Sequence, residues 1–96
     1  MYAAAKAALA AFTRSMAAEY APRGIRVNAL APGAADTDTV RASTPEAQQG
    51  MAKASHQGRL AEADERVGPA LLLAADAGSF LTGQVLHADG GLVVAR

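Results

Sequence analysis

Tyr2 and Lys6 are the two residues whose types and spacing could perform acid–base chemistry. On a helix, residues four positions apart lie on one face, about one turn from each other. A phenol has an ordinary pKa of about 10, but a nearby ammonium group stabilises the phenolate and lowers that pKa. A tyrosine tuned in this way can act as a general acid or base. Alone the pair is weak evidence, because any alanine-rich helix with one Tyr and one Lys can show this spacing by chance.

The elements that would position this pair follow from the apolar pattern. A helix is predicted for residues 2–20, where large apolar residues recur at helical spacing: Tyr2, Leu9, Phe12, Met16 and Tyr20. The Pro-Arg-Gly stretch at residues 22–24 should end it. Residues 25–31 are short, apolar and partly β-branched, and a Pro-Gly pair at residues 32–33 closes them. We therefore predict a buried strand there.

The second half of the chain contains a long polar segment and two further elements. Residues 34–60 have no sustained period and are predicted to be a loop with some helix around residues 46–53. Acidic residues cluster at 62–65, where a helix N-terminus favours negative charge, and the following apolar face predicts a helix that stops near residues 76–78. Residues 84–88 read as a short strand between glycine-containing turns.

The order helix, strand, long loop, helix, strand contains one right-handed βαβ unit with parallel strands. Two strands are too few for a stable parallel sheet, because such sheets are covered on both faces and are rarely so narrow. The chain is therefore expected to be the C-terminal portion of a doubly wound α/β domain whose N-terminal part is absent.

Charge and composition exclude several function classes. Nine Lys and Arg residues balance nine Asp and Glu residues, so the chain lacks the basic footprint of a protein that binds nucleic acid or an anionic membrane. No cysteine is available for disulfides or thiolate metal sites, and His56 and His87 lack metal-ligand spacing, so no metal site is expected. No apolar stretch approaches the roughly 18–20 residues of a membrane span. These features fit the reducing cytoplasm.

Other candidate site residues follow the predicted strands. In open α/β sheets, ligands bind beyond the carboxyl ends of the strands, which is where Pro32, Gly33 and the Asp-Gly-Gly turn at residues 89–91 fall. Thr37 could offer a hydroxyl group to a ligand held there. Singly, each feature is more typical of turn structure than of a binding site.

Together, these motifs resemble the C-terminal part of the short-chain dehydrogenase/reductase family. The resemblance spans essentially the whole chain, and its motifs are Tyr-Ala-Ala-Ala-Lys at residues 2–6, Arg-Gly-Ile-Arg-Val-Asn-Ala-Leu-Ala-Pro-Gly at 23–33, Thr37, Leu-Thr-Gly-Gln at 81–84 and Asp-Gly-Gly at 89–91. It implies that residues 1–96 are the C-terminal fragment of one NAD(P)-binding Rossmann-type domain whose N-terminal nucleotide-binding half is absent. The catalytic helix and strand would lie at 1–33, a substrate loop at 34–60, and the last helix and strand at 61–96.

The resemblance also implies an activity and its residues. Tyr2 matches the catalytic tyrosine, and Lys6 matches the lysine that supports it and holds the nicotinamide ribose. Further cofactor contacts are expected from Pro32, Gly33, Ala35 and Thr37. The implied cofactor is NAD or NADP, the implied substrate is a small alcohol or ketone, and the complete enzyme is expected to be a homodimer or homotetramer.

The departures from the family pattern predict a truncated oxidoreductase that is inactive alone. The family has a glycine-rich phosphate turn and a catalytic serine about a dozen residues before the tyrosine, whereas only Met1 precedes Tyr2 here. The alternative hypothesis is a non-catalytic interaction module that docks through Leu9, Phe12 and Met16. A helix-bundle DNA-binding protein is disfavoured by the zero net charge. The sequence distinguishes neither NAD from NADP nor one substrate from another.

Overall fold

The computed structural model describes residues 2–92, and their side chains from residue 4 onward. Its helices are α1 (Tyr2–Tyr20), α2 (Asp38–Arg41), α3 (Pro45–Ala54) and α4 (Val67–Ala74), and its strands are β1 (Ala29–Pro32) and β2 (Val85–Ala88). Three short 3-10 turns cover Ala21–Arg23, Ala63–Arg66 and Asp76–Gly78. The structure is therefore a mixed α/β arrangement, as the sequence predicts.

Helix α1 has the bounds that the apolar spacing predicts, residues 2–20. Its sequence is rich in alanine, the residue with the highest helix propensity. The chain leaves the helix through the 3-10 turn at Ala21–Arg23, and Gly24 follows with φ of 74°. That left-handed conformation is readily open to glycine, which explains why the helical path ends here.

The predicted strand at residues 25–31 is wrong in its first half, because β1 begins only at Ala29. Val27 does join the neighbouring segment, but its amide donates to the Thr82 hydroxyl over 3.1 Å and not to a strand carbonyl. Its carbonyl accepts from the Gly83 amide over 2.8 Å. A side chain thus replaces one backbone partner, and regular pairing starts only beyond this point.

Strands β1 and β2 form a two-stranded parallel sheet. The Ala29 amide donates to the Gln84 carbonyl over 2.9 Å, and four residues later the Gly33 amide donates to the Ala88 carbonyl over 3.0 Å. Partners that advance together along both segments are the signature of parallel pairing. The predicted second strand at residues 84–88 agrees with β2 to within one residue.

The segment at residues 34–60 holds more regular structure than the predicted loop. Helix α3 confirms the helix expected around residues 46–53, whereas α2 was not predicted. Threonine caps begin both helices: Thr37 accepts from the Val40 amide, and Thr44 accepts from the Ala47 amide. Such caps satisfy backbone donors that have no partner inside the helix.

The acidic cluster at residues 62–65 begins a 3-10 turn and not the α-helix itself. The Glu65 carboxylate accepts from the Glu62 amide over 2.8 Å, within a reciprocal capping arrangement of the two residues. Helix α4 then starts at Val67, later than the acidic cluster suggests, and ends before the turn at Asp76–Gly78.

The described chain forms two compact units, the first from residues 2–30 and 70–86 and the second from residues 31–69 and 87–92. In the first unit, Thr13 and Ala17 are buried, and in the second unit Ala35 is buried. Among the described residues, no large side chain is fully buried. No helix in the described range is both long enough and apolar enough to cross a membrane.

Candidate functional site

Helix α1 carries the predicted catalytic pair in the first unit. Residues 2 and 6 are one helical turn apart in this helix, as the acid–base hypothesis requires. Lys6 is exposed. The side chain of Tyr2 lies outside the described residues, so its assignment as the catalytic tyrosine stays a prediction.

Gly33 directly follows β1 in the second unit, and three neighbours surround it. Its amide donates to the Ala88 carbonyl, and its own carbonyl accepts from Arg66 Nη2 over 3.1 Å. A Cβ added at Gly33 would lie 2.8 Å from the Cα of Asp89. The approach of another backbone therefore requires a residue without a side chain, which is one of the established uses of glycine.

Ala35 lies in a second backbone pairing directly after Gly33. It is 1% exposed and forms an isolated parallel bridge with Ala61. The Ala61 amide donates to the Ala34 carbonyl over 3.0 Å, and the Asp36 amide donates to the Ala61 carbonyl over 2.7 Å. Its side chain thus faces the interior of the second unit, and the cofactor contact expected of it stays a prediction.

Thr37 opens α2 with its hydroxyl oxygen, which accepts from the Val40 amide over 3.4 Å. Within the described part of the chain, no acceptor takes the Thr37 hydroxyl proton. Arg41 braces this turn, because its Nε donates to Asp36 Oδ1 over 2.8 Å and its Nη1 to Asp38 Oδ1 over 3.2 Å. Two ion pairs of Arg41 therefore stabilise the turn, and the hydroxyl proton of Thr37 is not used in it.

A cavity of about 300 Å³ lies in the second unit beside the ends of the two strands. Gly33 and Asp89 line it from the strand ends, and Met51 lines it from α3. On another wall, Arg59 donates to both carboxylate oxygens of Glu65, over 2.7 and 2.9 Å. The hydrogen bonds from Arg59 are the main cause that lowers the pKa of Glu65 to about 2, and the same pairing raises the pKa of Arg59.

The Asp-Gly-Gly turn after β2 packs against the end of the segment at residues 34–60. Gly90 and Gly91 have φ of 66° and 90°, and the Gly90 carbonyl accepts from the Gln57 amide over 2.9 Å. A Cβ on Gly91 would lie 2.9 Å from the Cβ of His56. The Asp89 side chain is 9% exposed and accepts from the Gly91 amide over 3.0 Å. The turn thus anchors the neighbouring segment.

The structure brings together four of the predicted cofactor residues. Pro32, Gly33, Ala35 and Thr37 follow one another through a single turn of the second unit, whereas Tyr2 and Lys6 belong to the first. Pro32 and Ala34 are exposed in this turn. The cofactor contacts expected of these residues stay predictions. No glycine-rich phosphate turn for the other end of the cofactor occurs in this sequence.

Sequence reasoning missed the two arginines that hold this turn, Arg41 and Arg66. Arg41 follows acidic residues at short range, so local charge pattern could have indicated it. Arg66 had no comparable signal, because its contact with Gly33 joins residues 33 positions apart. Among the described residues, no group of three or more His, Asp and Glu side chains is placed to hold a metal ion.

Comparison with known proteins identifies the family. A family model described as enoyl-(acyl carrier protein) reductase matches residues 1–93. The chain is 44% identical over 91 residues to the 3-oxoacyl-(acyl-carrier-protein) reductase FabG of Salmonella typhimurium, and 43% identical over 91 residues to that of Escherichia coli, covering 95% of this chain in both cases. It is 48% identical over 90 residues, 94% of this chain, to cis-4-hydroxycyclohexanecarboxylate dehydrogenase of Sinomonas cyclohexanicum.

The chain spans about 37% of the length of the two reductases and 36% of the length of the dehydrogenase. Within that span, the family match covers both the helix with the Tyr-Lys spacing and the strand that ends in Pro-Gly. The parallel sheet agrees with the Rossmann-type portion that the motifs imply. On these findings, the chain belongs to the short-chain dehydrogenase/reductase family.

Proposed function

We propose that this chain provides the catalytic helix and the nicotinamide-side turn of an NAD(P)-dependent oxidoreductase that interconverts an alcohol and a ketone. The observation that carries the proposal is the family match over residues 1–93, which includes a Tyr-Lys pair one turn apart on α1. The names of the relatives support it, because they are reductases and dehydrogenases.

In this proposal, Tyr2 moves the proton. During reduction its hydroxyl donates a proton to the substrate carbonyl oxygen, and during oxidation its phenolate accepts the proton of the alcohol. Lys6 stabilises the phenolate through its positive charge and holds the ribose hydroxyls of the cofactor. When bound, NAD(H) or NADP(H) supplies the hydride exchange.

The turn after β1 would hold the nicotinamide end of the cofactor. Pro32, Gly33 and Ala35 would lie along the ring, and the unengaged hydroxyl proton of Thr37 could be donated to the adjoining phosphate. Arg41 supports this role indirectly, since it fixes the turn through Asp36. The assignment of these cofactor contacts is supported by the position of all four residues in one turn that Arg41 stabilises.

Residues 34–60 would enclose the substrate, which we propose to be a small alcohol or ketone. Helices α2 and α3 form about half of this segment, and Met51 and Ala54 of α3 line the cavity beside it. The proposal includes assembly of the complete enzyme as a homodimer or homotetramer and a location in the cytoplasm, without a nucleic-acid or membrane partner.

A chimeric enzyme tests the proposal. This chain would replace the matching 91-residue segment of the Escherichia coli reductase, and oxidation of NADH and NADPH would be followed with a 3-oxoacyl thioester. We expect activity in the chimera and a loss of about 10²–10⁴-fold in kcat for Tyr2→Phe, the usual contribution of a general acid or base. Tyr20→Phe is the matched control, because it removes a hydroxyl at the other end of the same helix.

The outcomes separate the roles. A Tyr2→Phe chimera that keeps its kcat within a few-fold of the parent would exclude Tyr2 as the proton donor. The 96-residue chain alone is expected to oxidise neither NADH nor NADPH, because it contains no glycine-rich phosphate turn. Measurable turnover by the chain alone would contradict that expectation.

A second candidate is the interaction module, which the exposed apolar face of α1 favours. Leu9 and Phe12 of this helix are 51% and 61% exposed. Exposed large apolar side chains are normally scattered over a free surface, so two of them along one helix favour a docking surface. Size-exclusion chromatography with limited proteolysis would distinguish the candidates. A monodisperse oligomer resistant to protease supports the module, whereas an aggregating, protease-sensitive chain supports the enzyme segment.

A further inference from the structure

Arg66 reaches from the 3-10 turn at Ala63–Arg66 to the end of β1. Its Nη2 donates to the Gly33 carbonyl over 3.1 Å, in a partly buried hydrogen bond. Its Nε is buried and has no hydrogen-bond partner among the described residues. An unpartnered buried donor costs free energy. The surroundings of the guanidinium therefore do not by themselves explain why an arginine is found at this position.

The Gly33 carbonyl lies at the start of the turn that follows β1. The Gly33 amide donates to the Ala88 carbonyl, and the Cα of Gly33 lies against Asp89. The carbonyl is therefore the group of Gly33 that remains available for a further hydrogen bond. Immediately after it, the chain pairs with Ala61 through two backbone hydrogen bonds. Arg66 and Ala61 thus brace residues 33–36 from one adjacent segment.

We propose that Arg66 is a positioning residue for the cofactor turn. By holding the Gly33 carbonyl, its guanidinium fixes the backbone direction of residues 33–37, so that this turn is ordered before the nicotinamide end of a cofactor binds. The inference rests on the proposed function for its ligand, but the order of the turn is a property of the chain itself. A charged donor suits this role, because hydrogen bonds from ionised groups are stronger than neutral ones.

Amide hydrogen exchange in the chimeric enzyme tests the inference directly. In Arg66→Met, we expect exchange at least tenfold faster at the amides of Gly33, Asp36 and Ala61, whose hydrogen bonds flank the held carbonyl. Arg66→Lys should restore part of the protection, since an ammonium group keeps one charged donor. Arg14→Met is the matched control, because it removes an exposed arginine from α1 that has no partner among the described residues.

Amides inside α1 report whether a variant has lost its overall fold. If Arg66→Met raises exchange in α1 as strongly as at Gly33, the arginine holds the whole fold and the positioning role is overturned. If exchange at Gly33, Asp36 and Ala61 stays within twofold of the parent, the inference is also overturned. Arg66→Gln gives the same comparison with a neutral donor, should the methionine variant fail to fold.

Steady-state kinetics in the chimera then link the turn to the cofactor. Arg66→Met should raise KM for the nicotinamide cofactor about tenfold and keep kcat within about threefold, because it disorders the free turn and leaves the proton donor in place. Faster exchange with an unchanged KM would make Arg66 a structural residue and overturn the positioning role. An inactive chimera would count against the proposed function alone, and the exchange measurement would still decide the role of Arg66.

Discussion

Replacement of Gly33 by alanine tests the close approach at the end of β1. The added methyl carbon would lie 2.8 Å from the Cα, 3.1 Å from the Cβ and 3.2 Å from the carbonyl oxygen of Asp89. The closest of these atoms is backbone, so rotation of a side chain cannot relieve the clash. Either the turn after β1 or the turn after β2 must move.

The expected loss of stability follows from two opposing effects. Overpacking of this kind costs about 1–3 kcal/mol. Alanine also restricts the unfolded chain, which favours folding by about 0.4–1 kcal/mol. We therefore expect Gly33→Ala to lower the free energy of unfolding by about 1–2 kcal/mol, the overpacking effect being the larger.

Urea denaturation followed by far-ultraviolet circular dichroism measures this change. Gly50→Ala is the matched control, because Gly50 lies inside α3 in the same unit and a Cβ there would have no neighbour within 4 Å. The control should gain about 0.5–1 kcal/mol, the usual difference between glycine and alanine in a helix. Equal stabilisation of both variants would refute the close approach of Gly33 to Asp89.

Two further predictions concern hydrogen bonds. Asn28→Ala should lower the free energy of unfolding by about 1–3 kcal/mol, since the Asn28 side chain donates to the Leu81 carbonyl over 2.9 Å and accepts from the Gln84 amide over 3.0 Å; urea denaturation would contradict this if the loss stayed below about 0.3 kcal/mol. Because Arg59 lowers the pKa of Glu65 from an ordinary 4.5 to about 2, this carboxylate stabilises the fold fully above about pH 4.5 and loses that effect as the pH falls to about 2. Glu65→Gln should flatten the dependence of Tm on pH between 2 and 5, and an unchanged slope would refute the assignment.

The sequence predicts the elements that depend on local pattern. The bounds of α1 follow from apolar spacing and from the Pro-Arg-Gly stretch that ends it, and β2 follows from its glycine-flanked apolar run. Helix α3 was expected only in part, although Thr44 caps its start and Pro45 is its first residue. The family motifs also indicate the turn at Pro32 and Gly33.

The features that were missed depend on distant partners. The β-branched Ile25 and Val27 predict a start of β1 that is too early, because the Val27 amide donates to the Thr82 hydroxyl and not to a strand carbonyl. Helix α2 is four residues long, too short for a recognisable apolar period. The contact of Arg66 cannot be predicted from local pattern, because its partner, the Gly33 carbonyl, lies 33 positions away in the sequence.

The parallel pairing of β1 and β2 has a consequence for the order of folding. Asn28 and Gln84, which bond beside the first pair of the sheet, are 56 residues apart in sequence. Helix α1 can form from local contacts. The sheet can form only after the intervening segment has closed into a loop, and the chain loses conformational entropy in that step before the strand contacts form. Helix α1 should therefore form early and the sheet late, so that mutations in α1 change the refolding rate and mutations in β2 mainly change the unfolding rate.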